Sequence, residues 1–397
     1  MKETVKYPHL KFEKNWELNR KCLLLLGETY SLLKAINNTP ILPTYYGELM
    51  KVALYKGAQS TTAIEGNTLS DDQIVNLVEG KKLPESIEYQ GIEVNNILDA
   101  FTTIFHETSV ENNEQLITPE LLLRFHSMVG KDLGEYFSAN PGEFRNSNVI
   151  VGRYRCPDYS DIPILIDSYC EFLRSEFKFE LERELDEELF IDTFLEAIVA
   201  HVYLEWIHPF GDGNGRTGRL IEFYVLSRGG NPNITLHILS NHYNLTRAEY
   251  YRQLDKASGD GDLSEFIEYA LVGYRDGLDN ILSKIQQSQR QITWQKYVYD
   301  QFDRIEIGQK EVFKRKRSFA LEIPIDRKFR FEEIPELNIR LAKLYSNVSE
   351  KTLERDVNEL ISLDILIKEG LNYYANISAL NQMMAKRKIQ VKKGKKK

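Results

Sequence analysis

The chain has 397 residues, too many for one small core, and its 42% hydrophobic and 28% charged side chains make a globular balance that excludes wholesale disorder. It contains no run of about 18 apolar residues and no apolar core near Met1 to Phe12, and its only cysteines, Cys22, Cys156 and Cys170, are not at metal-ligand spacing; a membrane span and export are therefore not expected, and a cytoplasmic setting is. The net charge of −8 hides a basic tail over 383–397, whose eight Lys/Arg leave the remaining body still more acidic, which argues against general nucleic-acid binding.

Residues 14–36 are predicted as an amphipathic helix on the spacing of Leu18, Cys22, Leu25, Tyr30 and Leu33, broken by Pro40 and Pro43. A second helical stretch follows from about Gly47 to Ile64. Ser70 before Asp71 and Asp72 is N-cap chemistry for a helix to Val78. Gly91 to Phe105 has helical periodicity, and Thr118-Pro119-Glu120 opens a helix to about Val129. Asn140-Pro141-Gly142 is a turn, and Val149, Ile150 and Val151 followed by Gly152, Tyr154 and Arg155 predict a short hairpin. Helices are expected again over Ile164–Leu173, Asp192–Trp206, Leu220–Leu226, Arg247–Leu254 and Leu263–Gly273. A long polar connector follows at about 275–305, then shorter elements with a domain boundary near 305. The tail itself reads as a solvated end, with anion contact as the alternative.

From residue 208 the sequence reads His-Pro-Phe-Gly-Asp-Gly-Asn-Gly-Arg-Thr-Gly-Arg. Pro209 must end the apolar helix that runs into His208. Gly211, Gly213 and Gly215 allow tight turns and close approach of backbone to a ligand. The helix that starts next offers unpaired N–H groups and a positive dipole end to an anion. Arg216 and Arg219 share a face of it and bring forked donors suited to phosphate. Asp212 is a hard oxygen ligand suited to Mg²⁺, and His208 titrates near neutrality and can take a proton from a hydroxyl. Together these residues predict phosphoryl or nucleotidyl transfer.

These twelve residues resemble the Fic family signature, His-x-Phe-x-Asp-Gly-Asn-Gly-Arg-x-x-Arg, at every defined position. The resemblance extends over roughly 50–275. It implies a mainly α fold: a Fic-type helical core (113–275) with a β-hairpin flap, and an N-terminal helical domain (1–112). It also implies transfer of AMP from ATP, with Mg²⁺, to a Ser, Thr or Tyr hydroxyl of a protein. By that resemblance His208 is the general base and Asp212 holds the metal. Gly213, Asn214 and Gly215 supply the anion nest, Thr217 and Gly218 complete the nucleotide-binding stretch, and Arg216 and Arg219 grip the outer phosphates. Relatives that transfer a whole phosphate have lysine where this chain has Gly215, which favours adenylylation. The adenine-side tyrosine corresponds to Tyr251, with Tyr250 beside it, and Ser258 departs from the asparagine often found seven residues on. The hairpin around Val149, Ile150 and Val151 is expected to dock the protein substrate by strand addition.

Thr61-Thr62-Ala63-Ile64-Glu65-Gly66 is similar to the family's inhibitory pattern, which implies that Glu65 pairs with Arg219 in place of the γ-phosphate. Self-modification and removal of AMP from the target are left open, as is a homodimer. At the C-terminus, Ile339–Tyr345, Ser349–Leu363 capped by Ser349, and a wing of Ile365–Ile367 and Leu371–Ala375 resemble a winged helix-turn-helix over 306–382. Lys351 and Arg355 there are offset by Glu350, Glu354, Asp356 and Glu359, so DNA contact and protein contact both stand. The competing accounts are a DNA-binding regulator with a nucleotide-sensing core and a transferase using another nucleotide donor.

Overall fold

The computed structural model describes residues 6–111, 116–178, 186–305 and 310–378, so the basic tail over 383–397 lies outside the described residues. Helix α1 (Arg20–Asn38) starts later than its periodicity suggested, because Asn19 turns its side chain onto the Cys22 N–H at 2.9 Å and makes the N-cap. Pro43 opens α2 (Pro43–Ile64) rather than breaking a helix, since the first helical position needs no N–H partner. Helix α3 (Asp71–Val78) has the full capping box of Ser70 and Gln73, and α4 spans Glu88–Ser109. Helix α5 (Pro119–Gly130) is capped by Thr118 as expected.

The flap follows as β1 (Ile150–Val151) and β2 (Tyr154–Arg155), antiparallel with Val151 opposite Tyr154. Val149 lies just before β1. Helix α6 is Ile162–Phe177, α7 is Asp186–Ile207 and α8 is Asn214–Arg228. Helices α7 and α8 are buried on nearly every side, so they carry no amphipathic stripe and form the centre of the helical core. Helices α4 and α5 pack on α8, α6 packs on α7, and α2 packs on α4. Helix α9 (Ile238–Leu245) was not marked by any sequence periodicity, and α10 is Arg247–Asp260.

The predicted helix at 263–273 and the connector after it are one continuous helix, α11 (Ser264–Phe302). The chain divides into two compact units between Leu282 and Ser283, earlier than the boundary expected near 305. The reason is physical: Trp294, Val298 and Phe302 point a buried apolar face into the second unit's core, which a polar average concealed. That unit continues with α12 (Lys310–Glu322), β3 (Phe329–Arg330), α13 (Ile339–Tyr345), α14 (Glu350–Ser362), β4 (Leu366–Glu369) and β5 (Asn372–Ala375). The wing is three-stranded, in the order β3-β5-β4. Ser349 stands at the N-cap of α14, but its hydroxyl meets the Thr352 hydroxyl at 3.0 Å instead of a backbone N–H.

Candidate functional site

The site lies where α7 hands over to α8. His208 still donates its N–H to the Leu204 carbonyl at 2.8 Å, then takes φ +50°, a left-handed conformation that turns the chain into Pro209. Asn214 closes the following loop on itself: its amide oxygen accepts the Phe210 N–H and its amide nitrogen donates to the Phe210 carbonyl, both at 2.9 Å. Phe210 is buried and stacks on His126, ring centres 3.8 Å apart. The Gly142 N–H donates to His126 Nδ1 at 3.0 Å, so the ring proton is on Nε2, which donates to the Asp212 carbonyl at 3.0 Å. Burial holds His126 neutral, with its pKa lowered to about 4. Gly213 has φ +77°, a conformation that favours glycine, and is the N-cap of α8 with no side chain available to cap the helix.

Helix α8 therefore presents an uncapped N-terminus, and a carboxylate sits against it. Arg219 Nη2 donates to Glu65 Oε1 at 2.6 Å and to the Thr61 carbonyl at 3.0 Å. A side chain on Gly215 would collide with that same carboxylate, so the close approach needs glycine. Burial opposes the charge of Arg219, but the facing Glu65 more than compensates and holds the guanidinium firmly protonated. Its Nε and Nη1 are buried without a partner among the described residues. Arg216 is engaged differently: Nη1 pairs with Glu93 at 2.6 Å and Nη2 with Asp212 Oδ1 at 2.8 Å. Asp212 also accepts the Gly213 N–H at 2.5 Å and the Ser138 N–H at 3.1 Å.

The His208 side chain is 16% exposed. Burial, with Arg145 nearby, lowers its pKa to about 4, so the ring is a neutral base at physiological pH. Its Nδ1 faces the Glu205 carbonyl at 3.3 Å, which leaves Nε2 for a reacting group. The Glu205 carboxyl, behind the ring, is pushed up to about 7 by burial and by the charge of Glu65.

Arg145 ties the flap to this loop. Its Nε donates to the His208 carbonyl at 2.8 Å, Nη1 to the Ser147 carbonyl at 2.7 Å and Nη2 to the Pro157 carbonyl at 2.5 Å, while its backbone N–H meets the Pro209 carbonyl at 2.9 Å. Tyr154 of β2 donates to the Trp206 carbonyl at 2.6 Å and receives His9 Nε2 at 2.7 Å. Ile150 and Val151 are exposed, 69% and 46%, on a two-residue hairpin.

The structure thus gathers His208, Asp212 to Arg219 and Glu65 at one place. Thr217 is buried with its hydroxyl unpartnered among the described residues, and Gly218 lets α8 lie close to His201. The two tyrosines separate. Tyr251 is 45% exposed and its hydroxyl donates to the Ile64 carbonyl at 3.1 Å, which holds the end of α2. Tyr250 is 1% exposed, stacked on Tyr243 with its hydroxyl 2.8 Å from His201 Nε2, and packs in the core in this structure. Ser258 bonds within its own helix to the Asp255 carbonyl. Sequence reasoning missed Glu93, His126 and Glu205. Only Glu205 left a usable signal, its place three residues before His208 on the same helix.

Comparison with known proteins gives one consistent result. Residues 116–226 match the Fic/DOC family. The chain is 32% identical over 225 residues to a protein adenylyltransferase Fic of Aedes aegypti, and 31% identical over 229 residues to protein adenylyltransferase fic-1 of Caenorhabditis elegans. Those matches cover 55% and 56% of this chain, and the chain spans 40% of the length of each relative. Among solved structures, a Fic family protein from Desulfovibrio desulfuricans G20 is similar with a TM-score of 0.56 at 17% identity, covering 91% of this chain and 98% of that one, a likeness of fold. A segment of Fic-1 from Caenorhabditis elegans has a TM-score of 0.54 at 25% identity, covering 66% and 72%. The loop built around His208 and the helix that follows it lie within residues 116–226, the stretch that matches the Fic/DOC family.

Proposed function

We propose that this chain is an autoinhibited protein adenylyltransferase that moves AMP from ATP to a Ser, Thr or Tyr hydroxyl of a protein. The observation that carries the reading is the Glu65 carboxylate on Arg219 at the uncapped start of α8, 2.6 Å from Nη2. There it stands in for the outer phosphate oxygens of a nucleotide. The Nε and Nη1 of Arg219, buried and unpartnered among the described residues, are the donors a phosphate would use. The names of the relatives that match over about half of this chain agree with the activity.

On this reading the backbone at Gly213 to Gly215 cradles the phosphates, Arg219 holds the outermost one, and His208 Nε2 takes the acceptor's proton. The acceptor oxygen bonds the α-phosphorus as its bond to the bridging oxygen breaks, and pyrophosphate leaves. A divalent cation fits Asp212. That carboxylate is 28% exposed, and no group of three or more His, Cys, Asp or Glu among the described residues forms a closed metal site. A cation held at Asp212 would neutralise polyphosphate charge. The exposed edge at Ile150 and Val151 supports docking of the protein substrate by strand addition. Among the described residues no helix is long and apolar enough to cross a membrane.

A second reading, transfer from another nucleotide donor, is favoured by one feature. With Tyr250 buried and Ser258 turned to its own helix, base-side contacts fall to Tyr251 alone of the three. Incubation of the Glu65→Gly protein with a panel of nucleoside triphosphates, read by intact mass, separates the two: an added AMP supports adenylylation, and a different nucleotide mass replaces it. DNA contact is not favoured, since Asp356 and Glu359 of α14 are engaged by Arg315 and Lys316 of α12 and the exposed Glu350 and Glu354 still offset Lys351 and Arg355.

A further inference from the structure

The hairpin beside the His208 loop is small for the task of holding a protein. Its strands pair over two residues each, and a hairpin of that size does not keep its place in water by itself. Arg145 fastens its roots to the loop of His208. The hold on β2 and on the chain just after it comes from elsewhere, from residues 6–17, an irregular segment that forms neither helix nor strand.

That segment is anchored at both ends. Towards α11, Trp16 is buried and stacks on Phe177 of α6. The Asn15 carbonyl accepts the Leu263 N–H at 2.9 Å, and Ser264 Oγ accepts the Glu17 N–H at 2.8 Å. Leu10 is buried between this anchor and the flap end of the segment. There, His9 Nε2 donates to the Tyr154 hydroxyl at 2.7 Å, and the proton of that hydroxyl goes to the Trp206 carbonyl at 2.6 Å. The His9 ring also meets the Trp206 ring edge-on, centres 5.6 Å apart. Tyr7 donates its hydroxyl to Asp161 Oδ2 at 2.6 Å and accepts the Asp158 N–H at 2.9 Å. Asp158 accepts Asn148 Nδ2 at 3.2 Å, and Asn148 Oδ1 accepts the Tyr159 N–H at 2.9 Å, so Tyr7 grips the joint where the two roots of the hairpin meet. Lys6 adds ion pairs to Asp158 and Asp161, but its side chain is exposed and they contribute little.

We propose that residues 6–17 are a strap that positions the flap for the protein acceptor, with Tyr7 and His9 as its positioning residues. Neither acts on the reacting groups directly: His9 works through Tyr154, and Tyr7 through Asp158 and Asp161. An added strand gains its full binding energy only from an edge that is already in place, because an edge ordered at the moment of docking gives part of that energy back. The strap holds β2 and the chain after it and leaves Ile150 and Val151 exposed, so it steadies the hairpin without covering the edge an acceptor would use. The inference rests on the flap as the acceptor's dock, and it names what keeps the dock in position.

The first test needs neither nucleotide nor acceptor. Cys156, directly after β2, is buried, as is Cys170 on α6. In the full chain under native conditions, alkylation of Cys156 by iodoacetamide, read by peptide mass spectrometry, reports opening at the hairpin root. Tyr7→Phe/His9→Ala is expected to speed it about tenfold, with Cys170 reacting at the parent rate. His9→Gln in place of His9→Ala should recover part of the protection, because its amide can still donate to Tyr154. The second test uses the Glu65→Gly background with casein as acceptor and labelled ATP. There the double variant should raise KM for casein about fivefold and leave KM for ATP as it was. Unchanged alkylation of Cys156, faster alkylation of Cys156 and Cys170 alike, or an unchanged KM for casein overturns the proposal. A parent that labels no casein counts against the transferase reading instead, and the alkylation result is independent of it.

Discussion

Two arginines, one in each unit, meet acidic partners in opposite ways. In the second unit Arg315 grips Asp356 with two parallel bonds, Nε at 2.8 Å and Nη2 at 3.1 Å, and Tyr345 adds a third to the same carboxylate at 3.0 Å. In the first unit Arg219 uses one nitrogen for Glu65 and leaves two others buried without partners among the described residues. A fully satisfied pair is a strut, because removing either member leaves the other charge uncompensated. A half-satisfied pair is a seat, open to an anion with more oxygens. Helix α12 carries the run Lys314 to Arg317, yet Lys316 is also taken, by Glu359. Much of the basic charge of that run is spent inside its own unit.

The contrast can be broken at either end. The largest expected effect is His208→Ala, which should cut transfer of labelled AMP by about 10³-fold, measured in the Glu65→Gly background where the signal is high. Labelling that survives at the parent rate would remove His208 from the chemistry. Next, Asp356→Ala should strand Arg315 and cost about 3 kcal/mol in the second unit, seen as a lowered urea midpoint, with labelling activity retained. Glu65→Gly should do the reverse: labelling rises about tenfold or more, and the urea midpoint of the first unit moves little. A large loss of stability there would make Glu65 a strut after all.

The smallest effect is a slope. Glu222 is pushed up to about 8 and Glu205 to about 7, both by burial, so the folded state holds protons that the unfolded chain has released. Stability from these groups is complete below the ordinary glutamate range and is lost as pH rises towards 8. His126, His201 and His208, all lowered by burial, act in the opposite window: their contribution is present above about 6.5 and lost as pH falls through 4. Between pH 6.5 and 8 the carboxyls act alone, at up to about 1.4 kcal/mol per pH unit for each group. Glu222→Gln should flatten that part of a thermal-shift profile, and an unchanged slope would count against the assignment.

The contiguous part of the site was legible because its chemistry is local. Helix end, glycine turns and spaced arginines all lie between His208 and Arg219, and backbone rules fix their relations. Glu65 lies 154 residues from Arg219 and was reached only through resemblance to a pattern. Glu93 and His126 were invisible for a different reason. Each acts across helix packing, Glu93 from α4 and His126 from α5, and no spacing in the chain encodes which helices will touch. Tyr250 and Tyr251 show the limit of adjacency, since neighbours on a helix point about 100° apart and one must turn inward when the other turns out. Most of the predicted helices were short at their ends because apolar periodicity stops before the caps do, whereas the first was predicted to begin ahead of its Asn19 cap. The boundary was misplaced because Trp294, Val298 and Phe302 are sparse on a polar helix yet wholly buried.

Arg145 has a consequence for how such a protein could change its clientele. One side chain fastens the carbonyl of the base residue and both roots of the hairpin. On the proposed roles of the hairpin and of His208, a change at those roots would shift the base as well as the grip on a partner, and any gain in fit would be offset by a slower reaction. The tip, at Ile150 to Arg153, is free of that bond. Variation that redirects the hairpin to new acceptors is expected to collect there, and engineering for a chosen acceptor would begin with those four positions.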